Sequence, residues 1–273
     1  MEPKNIFNKQ NFQMLLHLNS EIAQYPKLSL GDDQKTGCNE LATKLLYHAA
    51  TMLSLGNGTP SEFLKDPNRS MIYDFMSGSV LTRVVLETYL IMFEVFLESV
   101  SEDESKFRYN CWRLKGFMVH EGISPKEIVQ QVRYELLRVM REEVRRELQN
   151  TKAFAKLASK VQKRILRGEF PNKPMKQRLA NARLGSPWFE MLYKYHSGAV
   201  HSDGLAADQI QVVATKAAQL DALDVQQGIT MMVIGRMIVE YAARFHDAKS
   251  VLSKDPSAHG LANLLATFAN QTP

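Results

Sequence analysis

The chain is predicted to be almost wholly α-helical, and three observations carry that expectation. Apolar residues recur at spacings of three and four along nearly the whole length, with no persistent strand-like alternation. Capping boxes precede helical stretches, as at Ser101-Glu102-Asp103-Glu104 and Ser124-Pro125-Lys126-Glu127. Ten prolines and fourteen glycines in 273 residues leave room for long uninterrupted elements. A hydrophobic share of 45% and a charged share of 23% are an ordinary globular balance, and the length suffices to bury a core without staples. The expected architecture is an all-α helical bundle with a long central buried helix and N-terminal helical additions.

The elements follow in order. Residues 8–24 place Phe12, Leu15, Leu16, Leu18 and Ile22 roughly on one face, and a second helix over about 36–55 turns Leu41, Leu45, Leu46 and Ala49 inward. Thr59-Pro60-Ser61-Glu62 reads as a capping box with proline at the first helical position, which predicts a short helix there. Asp66-Pro67 is expected to restart the chain into a long helix over 67–100 that is apolar nearly all round in its second half, the central helix of the bundle. A helix from Ser101 to about Gly122 comes next. A highly charged helical region then reaches Gly168, with a break near Asn150-Thr151. Residues 171–185 read as a basic linker, Ser186-Pro187 starts a helix ending at 201–204, and residues 225–250 form another long apolar helix before a short terminal one. Residues 1–58 are expected to be an N-terminal extension packed on a bundle of residues 59–273, the whole forming one structural unit.

Several function classes are excluded by what the chain lacks. It has no Walker loop, no GxGxxG, no His-Glu-x-x-His, and no zinc-like Cys/His spacing, so no metal and no nucleotide cofactor are expected. Cys38 and Cys111 have no motif spacing and sit in helical patterns, which points to a reducing, cytoplasmic setting. The most apolar stretch, 80–97, is interrupted by Arg83, Glu87 and Glu94, and the N-terminus has no signal-peptide pattern; no membrane association is expected.

Three features could carry chemistry. Arg83 and Glu87 stand four residues apart, hence on one face, amid Val80, Leu81, Val84, Val85, Leu86, Leu90 and Ile91. A buried arginine needs partners, so the pair either fixes helix register or serves a site. Tyr193, Ser197 and His201 form a second polar stripe at spacings of four, with His196 beside it. Two imidazoles and a hydroxyl near a helix C-terminus can do acid–base work, or else cap the helix and satisfy the core. Because both sets need burial partners, Arg83 and Glu87 are expected to lie against the Tyr193–Ser197–His201 stripe.

The third feature is charge. Between Lys152 and Arg183 there are ten basic residues and one acid, Glu169. Lys152, Lys156, Lys160, Lys163 and Arg167, with Arg164 beside them, are expected to form one stripe of a continuous helix whose other side carries Phe154, Leu157, Val161 and Ile165. Such a stripe is the footprint of a phosphate-backbone contact or, failing that, a solvated face.

An Arg-x-x-x-Glu in an apolar helix followed far downstream by Trp188, Tyr193, Ser197 and His201 resembles a bacterial family of unknown function related to the HEPN superfamily of helical-bundle proteins. The similarity spans roughly residues 67–204. Many HEPN proteins are metal-independent ribonucleases of toxin, antiphage or RNA-processing systems that assemble their site across a dimer. The resemblance therefore implies a HEPN-like bundle, a homodimer, and RNA rather than DNA as partner. The candidate catalytic residues are Arg83, Glu87, His196, Ser197 and His201, and the resemblance implies that His201 assists attack by a ribose hydroxyl while Arg83 steadies phosphate charge. The chain departs from the family in lacking Arg-x4-6-His around His196 or His201; the one match joins Arg113 to His120. The expected function is an RNA-binding or RNA-cleaving protein in a toxin or antiphage setting. The alternative is a non-catalytic interaction module in which Arg83, Glu87, Ser197 and His201 form a structural network.

Overall fold

In the computed structural model, residues 6–24, 33–60, 71–119, 128–171, 173–185, 187–201 and 204–271 are described. Among them the protein is almost entirely helical, as its periodicity requires. Among the described residues thirteen α-helices run in chain order. They are α1 (Lys9–Gln24), α2 (Asp33–Leu55), α3 (Phe75–Met92), α4 (Glu102–Met118), α5 (Ile128–Gln149), α6 (Lys152–Ala155) and α7 (Ser159–Leu166). Then follow α8 (Met175–Asn181), α9 (Pro187–His201), α10 (Gly204–Val212), α11 (Lys216–Arg244), α12 (His246–Leu252) and α13 (Pro256–Gln271). None of them is long and apolar enough to cross a membrane. The chain divides into two units, one made of residues 1–93 and 175–273, the other of residues 94–174. Residues on both sides of position 58 thus belong to the first unit.

Several boundaries differ from expectation, each for a local reason. Thr59–Pro60 is not a helix start but a short strand paired antiparallel with Met71–Ile72; Ser61 and Glu62, which would complete the capping box, lie outside the described residues. The long helix α3 begins at Phe75, where Asp74 supplies the cap, accepting from the Ser77 N–H at 2.9 Å; Asp66 and Pro67 lie outside the described residues. Its C-terminal end passes directly into a π-helical turn over Phe93–Leu97. Ser101 caps α4 as predicted, accepting from the Glu104 N–H. The Ser124 capping box falls outside the described residues. Part of the supposed linker is helix α8, and α11 starts at Lys216 because Thr215 accepts from the Ala218 N–H at 3.2 Å.

The central helix of the first unit is α11, not α3. It is buried continuously from Gly228 to Ile238 and packs against α13, α3, α1, α12 and α2. The flanking helices bring regular apolar stripes into the same core, Phe12, Leu15, Leu18 and Ile22 on α1 and Cys38, Ala42, Leu45, Ala49 and Met52 on α2, which pack on each other and, for α2, on α3 as well as on α11. Helix α13 offers small residues, Ala258, Ala262, Ala266 and Ala269. These let it come close: a Cβ at Gly235 would stand 2.8 Å from the Leu265 Cβ and 3.1 Å from the Ala262 carbonyl oxygen. The α3–α11 crossing is closed by Gln226, whose side-chain amide donates to the Phe75 carbonyl at 3.0 Å and to Ser79 Oγ at 2.9 Å.

The second unit packs α4 against α5 and α6. Phe107, Cys111, Leu114, Val144, Leu148, Phe154, Ile165 and Phe170 form its buried apolar set. Phe96, Tyr109 and Trp112 add an aromatic cluster with ring centroids 5.3–6.1 Å apart. Cys38 and Cys111 are both buried and free.

The α11–α13 contact makes a checkable prediction. Gly235→Ala gains roughly 1 kcal/mol of helix propensity, but its methyl must displace a Cβ and a backbone carbonyl, neither of which can swing away. Overpacking of this kind costs about 1–3 kcal/mol, so the melting temperature should fall. A rise would show that α13 is free to move off α11.

Candidate functional site

Helix α3 carries Arg83 and Glu87 one turn apart, and α9 carries Tyr193 and Ser197 one turn apart; the two helices pack together. The four side chains meet as the spacing predicted. Arg83 Nε donates to Glu87 Oε1 at 2.9 Å, Nη1 to Ser197 Oγ at 3.1 Å and Nη2 to the Tyr193 hydroxyl at 3.4 Å. The Tyr193 hydroxyl in turn donates to Glu87 Oε1 at 3.0 Å, and the guanidinium carbon lies 5.2 Å from the Tyr193 ring centroid.

The network is not in the core. The Arg83 side chain is 14% exposed and that of Glu87 39%. Partial burial works against the arginine charge, but the hydrogen bond and charge of Glu87 outweigh it and hold the Arg83 pKa above its ordinary value. A guanidinium accepts no proton, so Arg83 holds Ser197 Oγ without activating it.

His196 does not join the network. It is 3% exposed, both ring nitrogens are without a hydrogen-bond partner, and Tyr195 is in ring contact with it at 5.3 Å. Burial pushes its pKa down to about 4, so the ring is neutral at pH 7. Its place one position before Ser197 turns it by about 100° around the helix, away from the stripe at spacings of four. His201 ends α9, and its side chain lies outside the described residues, as does His120. Arg113, the other half of that match, lies over the rings of Tyr109 and Phe117 at 5.5 and 5.8 Å. Trp188 is half-buried with its ring edge-on to Phe189.

The deeply buried ion pair is elsewhere. Arg236 and Glu240 on α11 are 6% and 7% exposed and are bonded to each other. Arg183 Nη1 reaches the same carboxylate at 3.3 Å from a left-handed backbone position, φ 55°, just past α8. The Tyr89 hydroxyl donates to the Ala182 carbonyl at 3.0 Å, and burial drives its pKa far up. The signal for this pair was in the sequence: Arg236-x-x-x-Glu240 repeats the Arg83-x-x-x-Glu87 spacing inside a still more apolar run.

In the second unit Lys152, Lys156, Lys160, Lys163, Arg164 and Arg167 are all exposed. They do not form a stripe of one helix. The helix breaks after Ala155, α7 restarts at Ser159, and Arg167 caps its end. Asp103 of α4 anchors the first piece, its carboxylate accepting from the Lys152 and Ala153 N–H groups at 2.9 and 2.7 Å. Arg164 pairs with Glu169 at 2.6 Å. Among the described residues no group of three or more His, Cys, Asp or Glu side chains is placed to hold a metal ion.

Compared with protein-family models, curated proteins and solved structures, the chain has no match.

The charges of the first unit generate two predictions. Arg236→Ala leaves Glu240 buried beside only the outlying Arg183 and should cost about 3–5 kcal/mol. Arg83→Ala leaves a carboxylate already in contact with water and should cost about 1–2 kcal/mol. Thermal melts of the two variants should rank them in that order, and the reverse would relocate the critical pair to α3. The second concerns His196. Its folded pKa, about 4, lies below the ordinary 6.5, so the unfolded chain binds more protons between those values. Stability should be complete above pH 6.5 and fall by up to about 3 kcal/mol as the pH drops toward 4. His196→Gln should flatten the upper part of this slope, which denaturant titrations at pH 7 and 5.5 would measure.

Proposed function

We propose that this protein binds the phosphate backbone of nucleic acid, RNA in preference to DNA, through the basic surface of its second unit. The observation that carries the reading is the distribution of charge. Residues 94–174 contain seventeen lysines and arginines against twelve acids, while the remaining residues contain seventeen of each. The chain's whole excess of +5 therefore belongs to one unit. Within it, residues 152–168 hold six exposed cations and no acid. Neutralising phosphates from such a surface releases counterions, which favours binding without a need for base-specific contacts.

The Arg83–Glu87–Tyr193–Ser197 network is read as structural. Its hydrogen bonds join α3 to α9, and the histidine beside Ser197 is buried and neutral. This is the interaction-module reading, with nucleic acid as the partner. The choice of RNA rests on the resemblance of Arg83, Glu87, Trp188, Tyr193, Ser197 and His201 to the HEPN-related family.

Binding of a labelled RNA is expected to weaken steeply with salt. Replacing Lys152, Lys156, Lys160 and Lys163 together with glutamine should lower the affinity and flatten the salt slope by about three to four, near one for each phosphate no longer neutralised. RNA recovered from the complex should be intact. Equal binding by the variant would reduce the basic surface to a solvated face, and cleavage by the pure protein would return the α3–α9 site to catalysis.

A further inference from the structure

The second unit carries a half-open cavity of about 650 Å3 lined by α4, α7, residues Gly168–Pro171 and Lys173. That volume is in the range that takes up a small organic group. Its apolar wall comes from three places in the chain: Phe107 on α4, Val161 and Ile165 on α7, and Phe170 beyond them. Phe107, Ile165 and Phe170 are 2–6% exposed, so this wall is the deep part. Lys115, Arg164 and Glu169 also line the cavity and are exposed, which puts their charges at its mouth, where Arg164 and Glu169 pair at 2.6 Å.

The interior does not suit an anion. Glu94, Glu104 and Glu169 line it, and its least exposed cation, Arg108, is already engaged. Its Nε donates to Glu104 at 2.7 Å and its Nη1 to the Glu94 carbonyl at 2.9 Å, and it is also paired with Glu98. A neutral, flat group with hydrogen-bonding edges fits better, because the apolar wall takes its faces and carboxylate oxygens can accept from its amino groups. Helix α7 is two-faced in the same sense. Val161 and Ile165 line the cavity, while Lys160, Lys163 and Arg167 are exposed. A polyanion lying on the basic surface would therefore run past the mouth.

We propose that this cavity receives an unpaired nucleobase of the bound strand, with the adjoining phosphates held by Lys115 and by the exposed Lys160 and Lys163 of α7. The inference rests on the nucleic-acid reading above and adds to it a preference for single strands. A base locked in a duplex cannot enter, whereas one in a single strand turns in without breaking a pair.

The test compares three probes on the full chain: short oligo(A) RNA, the same strand paired with oligo(U), and a sugar-phosphate strand of equal length without bases. Oligo(A) should bind about tenfold more tightly than the abasic strand, with the same salt slope. Val161→Trp fills the cavity from a half-buried position and should remove that advantage while leaving duplex affinity unchanged. Equal affinity of the wild-type protein for oligo(A) and the abasic strand overturns the proposal while the nucleic-acid reading stands. Absence of binding to all three probes removes the nucleic-acid reading itself, and the cavity's occupant with it. If Val161→Trp does not fold, the abasic comparison decides on the wild-type protein alone.

Discussion

The burial of α11 is the constraint on which the first unit depends. A helix covered on every side cannot be stabilised by an amphipathic stripe of its own; it needs a ring of neighbours, each with its own stripe turned inward. That requirement accounts for the regular apolar faces of α1 and α2, the small residues of α13 and the amide bridge from Gln226 to α3. It also accounts for the cluster of Arg236, Glu240 and Arg183. The stretch from Gly228 to Ile238 has no wet face, and so nowhere to put a charge except against an opposite one.

The Arg-x-x-x-Glu pairs of α3 and α11 show how one sequence pattern acquires two meanings. On α11 the pair is sealed and bridged by a third charge. On α3 it lies at a half-open edge, where a tyrosine and a serine from α9 complete the coordination of the guanidinium. The spacing is identical. What differs is which neighbour covers the turn, and that is decided by residues more than a hundred positions apart in the chain.

This difference marks the limit of what could be read from the residues. The helical class, the cap at Ser101 and the meeting of Arg83 with Ser197 were legible because each rests on a local period or a strong local need for a partner. The choice of α11 over α3 as the central helix was not, since both runs are apolar nearly all round and only packing tells them apart. The break after Ala155 was also invisible. No glycine or proline marks it, and the anchor that starts α6 is Asp103, about fifty residues earlier. The cavity of the second unit escaped notice for the same reason: its two aromatic walls, Phe107 and Phe170, belong to segments with no shared pattern.

The first unit is discontinuous, and this has a consequence for its birth on the ribosome. Helices α1, α2 and α3 emerge before the eighty-one residues of the second unit, and α11 follows only later. Until then α1, α2 and α3 can pack only on one another, and the apolar surface that α11 will cover stays exposed for several seconds at ordinary elongation speeds of about 5–20 residues per second. Residues 94–174 can meanwhile collapse on their own, because every helix they need is already in the segment. Vectorial synthesis thus favours the basic unit forming first, with the neutral one zipping shut around α11 as the last third of the polypeptide leaves the tunnel.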